Sequence, residues 1–406
     1  MRIKLNLRSA LAALVGVVAP LILKGATVEP ADRFSVEASW QSLVMERDFG
    51  DDVQGASGAA SLMLDFSWQS LQRIVLNGQF VHAARFFEEG RSEAAYWLSN
   101  DDSSVLNELA LTVDLGTEAN RTSRLRLGRL RETYDFFPSY KNARHKVQAF
   151  EGLVWQTEFG EELTIDLGHL ERFSSWSSRK GGPSRVNSDF ITLTERLGES
   201  GSDTGVQFLS ADLKNGRSIF TVYDYYSHDF YNNLGLKMSR SLGDPDHAST
   251  WKINLRYDWQ RGLSGGLRPE HDASAVELTL GYQHGGFSWN AGWTRVGSRN
   301  SFLAPFRTNY EIDMSLLWYT NQFEADTNSF HWKGIWKRNS WILYGLLISA
   351  EHSDRRENEA NMVVRHTFGN GMWVALFGGY GSREFDRAAR DDQWARDLRL
   401  YFGQTF

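Results

Sequence analysis

The chain has 406 residues, 44 Lys+Arg against 50 Asp+Glu, no cysteine, 7 prolines, 36 glycines, and 15 Trp, 14 Tyr and 25 Phe spread along its length. Zero cysteine excludes a disulfide scaffold, a thiolate zinc site and a cysteine nucleophile; a pI near 6.0 without a basic tail argues against nucleic acid as a partner. Only 41% of residues are hydrophobic, which excludes a helical membrane bundle, so a polar, aromatic-rich chain of this length points to one large β architecture whose two faces alternate.

The N-terminus reads as a targeting segment. Arg2, Lys4 and Arg8 precede an apolar run from Ala10 to Leu23, the n-region and h-region of a secretory signal. Cleavage is placed near Ala26, so that 1–26 is signal peptide and 27–406 one mature domain. A single anchor helix is the alternative, but the run is short for a membrane crossing. Removing 1–26 takes away Arg2, Lys4, Arg8 and Lys24 and no acid, leaving the remainder more acidic than the net −6 of the whole chain.

From there one pattern repeats. The spacing predicts strands near 34–44, 60–69, 72–82, 105–115, 122–130, 147–157, 162–172, 204–213, 217–227, 232–241, 250–260, 274–284, 287–296, 329–337, 341–351, 360–368, 372–381 and 395–406. That is about 18 strands, an even number as in bacterial single-chain barrels. The clearest is 250–260, where Trp251, Ile253, Leu255, Tyr257 and Trp259 share one face and Lys252, Asn254, Arg256, Asp258 and Gln260 the other. Segments 217–227 and 341–351 are apolar on both faces, which leaves their registers open. Short links such as Gly285-Gly286 and Asn215-Gly216 alternate with long polar stretches at 86–104, 173–203, 297–328 and 383–394. Short turns at one end, long loops at the other and ten-residue strands predict an all-β transmembrane antiparallel barrel. Trp68, Trp251, Trp259 and Tyr282 at the ends of apolar faces fit interfacial girdles. Phe406 closes an alternating last strand, resembling the signal that outer-membrane barrels present to the barrel-assembly machinery.

The run Leu127-Gly128-Arg129, a polar-aromatic loop, and then Arg144, Gln148, Phe150, Glu151 and Gly152 are similar to the OprD family of substrate-selective outer-membrane porins. That family has a Leu-Gly-Arg strand end followed by an Arg-x-x-Pro-Gln-Thr-Phe-Glu-Gly segment; here Val147 and Ala149 replace the proline and the threonine. Leu167 to Arg172 and Glu46 to Phe49 carry fainter similarity. The resemblance implies an 18-stranded barrel, monomeric or weakly trimeric, in the outer membrane of a Gram-negative-type bacterium. It implies a third external loop folded into the lumen, at 131–147 here, and passive diffusion of amino acids, small carboxylates, peptides or oligosaccharides. Its partners would be these small hydrophilic solutes, outer-membrane lipid and lipopolysaccharide; no cofactor, metal or catalytic residue is implied.

With the apolar faces assigned to lipid, the expected pore lining carries Arg124, Arg126, Lys237, Lys252, Arg256, Lys333, Lys337, Arg365 and Arg399, against Asp65, Glu108, Asp114, Asp166, Asp258 and Glu277. Opposed charges in a narrow passage set up a transverse field that orients zwitterions and anions. Such charges also simply solvate a wet lumen and pair with one another. The family's run of arginines near the second-last strand is missing, since 372–382 is apolar or small. In the constriction loop, Tyr134, Asp135, Ser139, Tyr140, Lys141 and Arg144 mix aromatic, acidic and basic groups suited to sugars or amino acids. Two other readings compete. A barrel hydrolase would need a Ser–His–acid set at one rim, yet the histidines are scattered and Gly262-Leu263-Ser264-Gly265-Gly266 lacks the following helix of a nucleophile elbow. A plugged structural barrel would need a filled lumen.

Overall fold

The computed structural model of the chain describes residues 33–50, 54–70, 73–90, 102–118, 120–131, 133–134, 146–175, 189–200, 205–243, 249–304, 310, 322–386 and 391–406. The expected signal segment at 1–26 lies outside them. The strands in chain order are β1 (Arg33–Asp48), β2 (Gln54–Ser70), β3 (Ile74–Gly90), β4 (Ser103–Glu118), β5 (Arg121–Leu130), β6 (Ala149–Phe159), β7 (Leu163–Ser174), β8 (Val206–Asn215) and β9 (Ser218–Tyr226), continuing with β10 (Tyr231–Leu242), β11 (Ser249–Gly262), β12 (Asp272–His284), β13 (Phe287–Val296), β14 (Asn328–Arg338), β15 (Trp341–Glu351), β16 (Arg355–Thr367), β17 (Met372–Phe385) and β18 (Gln393–Thr405). Every pair is antiparallel between chain neighbours, and β1 pairs with both β2 and β18, closing an 18-stranded barrel. Closure satisfies every strand's backbone groups without leaving an edge, the condition for a sheet in lipid.

Strand centres follow the predicted alternation, and β13 and β15 coincide with their predicted limits. The ends differ. β2 and β3 run 17 residues each, so the stretch at 86–104 is strand as far as Gly90 and again from Ser103. Likewise β17 extends to Phe385 and β18 starts at Gln393, which shortens the stretch at 383–394. These extensions carry polar residues on both faces because they stand above the apolar belt, and polarity alone reads as loop. The stretch at 173–203 contains one helical turn, α1 (Leu193–Leu197), started by a Thr192–Glu195 capping box and stopped by left-handed Gly198.

The outer face is an apolar belt: Leu167, Leu209, Val222, Leu236, Leu278, Leu347 and Leu398 are all exposed. Near the short-turn end the rings of Trp251, Tyr282 and Trp289, on three successive strands, lie 4.8 to 6.4 Å apart. Trp341, His366 and Phe368 make a second such group. Aromatic clusters of this kind belong at a membrane–water interface.

The two strands with apolar residues on both faces have a defined register. Phe220 and Val222 of β9, and Leu343 and Leu347 of β15, face outward and are exposed. Tyr223 and Tyr225, and Leu346 and Ile348, face inward and are buried in one cluster with Tyr134, Phe302, Tyr310 and Phe323. Those last four belong to the connections at 131–148 and 297–327, so these strands are apolar inside because long loops fold against them.

Candidate functional site: the barrel lumen

Alternation puts every second residue inside, and cross-strand register decides which charges meet. The nine basic residues expected to line the pore all lie on faces opposite the exposed apolar residues, as do Asp65, Glu108, Asp114, Asp166, Asp258 and Glu277. The structure divides them by height.

Toward the long-loop end the charges are mutually engaged. Asp397 of β18 accepts Arg47 Nε at 2.6 Å and Arg399 Nε at 2.9 Å, and all three side chains are fully or almost fully buried. Arg399 also stacks 4.7 Å from the Phe377 ring. On β11, Asp258 accepts from Arg256 Nε (2.7 Å), Tyr223 (2.8 Å), Asn233 (2.9 Å) and Tyr310 (2.7 Å), while the Arg256 guanidinium lies 4.2 Å from the Tyr310 ring. Burial, and then the Asp258 charge, push the Tyr310 phenol well above its usual range, so it donates as a neutral group. Glu357 takes Arg355 and Arg383 at 2.8 and 2.7 Å.

The connection at 297–327 is held in this region. Gln260 donates to Leu303 O and accepts from Leu303 N, both at 2.8 Å, so one side-chain amide mimics a strand pairing with the loop. His271 shares a hydrogen bond with the Gln260 oxygen at 3.1 Å. Its burial, with Arg268 nearby, brings its pKa down to about 4.

At the root of the expected constriction loop, Arg131 bridges Asp65 (2.8 Å) and Glu108 (2.5 Å) across β2 and β4. Tyr134 packs at 4.8 Å on Phe208, and burial pushes its phenol above the usual range. Asp135, Ser139, Tyr140, Lys141 and Arg144 lie outside the described residues. Where the chain returns, Lys146 is fully buried and donates to Asn107 Oδ1 (3.0 Å), Ser174 Oγ (2.7 Å) and the Ser175 carbonyl. Burial lowers its pKa well below the usual lysine value, Asp189 opposing the shift. The chain of amides continues from Asn107 to Gln79 and Asp65.

Toward the short-turn end the inward basic residues are Arg124, Lys252, Lys337 and Arg365, with Arg126, Lys237 and Lys333 near mid-height, Lys237 directly opposite Arg256 in register and Arg124 opposite Asp114. Among the described residues Arg124, Lys252, Lys337 and Arg365 form no ion pair. Arg365 stacks 4.4 Å from Trp373.

Arg131, Lys146, Asp397 and Tyr310 are not among the residues singled out by sequence, and Arg47 enters there only within the faint similarity at Glu46 to Phe49. Arg47 and Asp397 follow the odd-in rhythm of their strands and were legible there. Tyr310 and Lys146 sit in connections, where no periodicity assigns a side. The motif residues Gly128, Arg129, Gln148, Phe150, Glu151 and Gly152 gather at the β5–β6 junction, with Gln148 and Phe150 buried.

Ser–His contacts do occur, at His82–Ser104 (2.9 Å), Ser249–His284 (2.8 Å) and Ser340–His366 (3.2 Å), but no carboxylate is paired to these rings among the described residues. His145 and His247 lie outside the described residues.

No family model matches the chain, and no curated protein matches its sequence. Solved structures do match. OccK9 (OpdG) of Pseudomonas aeruginosa superposes with a TM-score of 0.74 at 16% identity, over 92% of this chain and 98% of that one. OccAB4 of Acinetobacter baumannii gives 0.71 at 13% identity, over 92% and 98%. OpdK of Pseudomonas aeruginosa with vanillate gives 0.69 at 13%, over 92% and 99%. The barrel expected from the OprD-family resemblance is therefore the fold the chain has.

Proposed function

We propose that this chain, folded as an OprD-type barrel, is a porin of the Gram-negative outer membrane. It passes small hydrophilic solutes down their gradient through a loop-constricted lumen. The observation that carries this reading is the split of faces: exposed leucines and valines outside, arginine, lysine, aspartate and glutamate inside. A closed structural barrel has no use for inward cations such as Arg124 and Lys252 that pair with no acid among the described residues. The likeness in fold to an outer-membrane protein, OpdK, supports the location, and that protein's structure with vanillate, a small carboxylate, supports the solute class.

The order of charges along the passage gives the selectivity. Paired groups in the outer half, around Asp258 and Asp397, fix the wall and the inserted loop. Arg124, Lys252, Lys337 and Arg365, which form no ion pair among the described residues, attract a carboxylate, and an arginine fork passes it on. A hydrolase is the weaker reading, since no nucleophile, base and acid converge among the described residues.

The test is single-channel conductance of the refolded mature protein in a planar bilayer, with amino acids, small carboxylates and oligosaccharides added in turn. Discrete anion-preferring conductance, blocked in a concentration-dependent way by carboxylates, is the expected result. Silence from a well-inserted preparation overturns the reading. Arg124→Gln with Lys252→Gln is expected to reduce anion preference while leaving insertion unchanged.

A further inference from the structure

β1 and β18 are the first and last strands, so they pair with no chain joining them at the seam, from Ser39–Thr405 to Asp48–Arg396. Elsewhere neighbouring strands are connected, and links as tight as Asn215-Gly216 and Gly285-Gly286 fix the register of their hairpins. At the seam the side chains must fix it. Alternation does so only in part. A slip of one residue turns every side chain to the wrong face, but a slip of two preserves the ladder and both faces. The outward residues in the middle of the seam, Ser42 and Val44 against Phe402 and Leu400, are small or apolar and do not distinguish registers two apart.

The long-loop end of the seam does distinguish them. Arg47-Asp48 of β1 lies antiparallel to Arg396-Asp397 of β18, so each cation meets an acid. On the inner face Arg47 Nε donates to Asp397 at 2.6 Å, both side chains fully buried. On the outer face Arg396 donates to Asp48 at 3.0 Å. Asp48 is itself buried and fixed in place, accepting from Gly50 N and from Gln54 Nε2 at the start of β2, each at 2.9 Å. Asp397 is fixed by its second cation, Arg399, at 2.9 Å.

Neighbouring registers lose this match. A two-residue slip one way sets Arg47 opposite Arg399 and Asp48 opposite Leu398; the other way it sets them opposite Ala395 and Trp394. The first brings like charges face to face in a buried wall, and the second takes the acid away from a buried cation. The one-residue slips, besides turning the faces, oppose Arg47 to Arg396 or Asp48 to Asp397.

We propose that Arg47-Asp48 and Arg396-Asp397 are a register key that selects the stagger of β18 on β1 when the barrel closes. Setting register is the best-attested use of buried ionic groups, which otherwise add little to stability. Strand number, stagger and diameter are linked in a closed barrel, so the same key sets the bore of the lumen. This role needs only the barrel, whatever passes through it.

Disulfide trapping in the mature protein folded into lipid vesicles tests it, since the chain has no cysteine of its own. Leu400→Cys is combined in turn with Val44→Cys, which faces it in the native register, and with Glu46→Cys or Ser42→Cys, which face it after a slip of two either way. These positions share the outer face, and directly opposed residues stand close enough, roughly 5.5 Å between Cα atoms, for a disulfide. After oxidation the linked peptides are quantified by mass spectrometry. With the native charges the 44–400 link is expected and the slipped links are not; slipped links at comparable yield overturn the proposal. Arg396→Gln, Asp397→Leu and Arg399→Asp together move the carboxylate two places along β18, and the dominant link should shift to 46–400. Persistence of 44–400 in that folded variant overturns the proposal. If the variant does not fold, Arg47→Met, Asp397→Leu, Arg399→Met and Arg396→Gln remove the key without relocating it. The 44–400 link should then fall as slipped links appear, and an unchanged link would show that other contacts set the register.

Discussion

Arg129 and Glu151 stand opposite each other in the β5–β6 register and close a 2.8 Å ion pair, with Gly128 facing Gly152 one position away. The two short motifs that resemble the OprD family are therefore one structure. Gly128 has a φ of +112°, and a Cβ there would lie 2.2 Å from the Leu109 carbonyl oxygen; a Cβ on Gly152 would lie equally close to that of His169. Arg129 also donates to the Leu106 carbonyl at 2.7 Å and stacks 4.2 Å from Phe190. The motif ties β4, β5, β6 and the segment before α1 at the root of the 131–148 connection.

Arg129→Ala is accordingly expected to destabilise the folded barrel by about 1–2 kcal/mol, through the ion pair, the carbonyl bond and the stacked ring together. Urea titration of the vesicle-inserted protein measures it. Equal stability of Arg129→Ala and wild type would mean that the pair is ornamental.

Lys146→Met keeps the length of the side chain and removes its donors, stranding Asn107, Ser174 and Ser175 oxygens in a buried site. The expected cost is about 3 kcal/mol, concentrated where the 131–148 connection rejoins the wall. Limited proteolysis of folded protein should then cut that connection faster, and unchanged cleavage would refute the pin.

Tyr310→Phe retains the ring over Arg256 and removes only the hydroxyl that reaches Asp258 and the Ala275 carbonyl. Open-channel current noise should rise as the 297–327 connection loosens, with a stability loss near 1 kcal/mol. Gln260→Leu, which removes both bonds to Leu303, should add to it. A quiet channel in the double variant would show that the loop is held elsewhere.

His271 gives the pH dependence. Burial and Arg268 bring its pKa to about 4 in the folded protein, against about 6.5 when unfolded. The unfolded chain therefore binds the extra proton first. The contribution of His271 to stability is full above about pH 6.5, falls as pH drops toward 4, and is constant below that. His271→Gln, which keeps a hydrogen-bonding group beside Gln260, should flatten this part of the profile; an unaltered profile would assign the dependence to other groups.

The amino-acid sequence by itself determined the strands and their faces. A period of two between lipid and water is a strong local signal, and 250–260 is legible from one segment alone. Even the inward position of Arg256, Asp258 and Arg399 follows from counting alternate residues. It did not determine the ends of β2, β3 and β17, because strand that rises beyond the belt has water on both sides and loses its period. Nor did it determine which charges meet. Arg47 and Asp397 are 350 positions apart, and only closure of β1 onto β18 brings them to 2.6 Å. The registers of 217–227 and 341–351 were likewise decided by tertiary structure. Their inner residues are apolar because Tyr134, Tyr310 and their neighbours fold back against them, and a loop's choice of wall leaves no periodic trace in the chain.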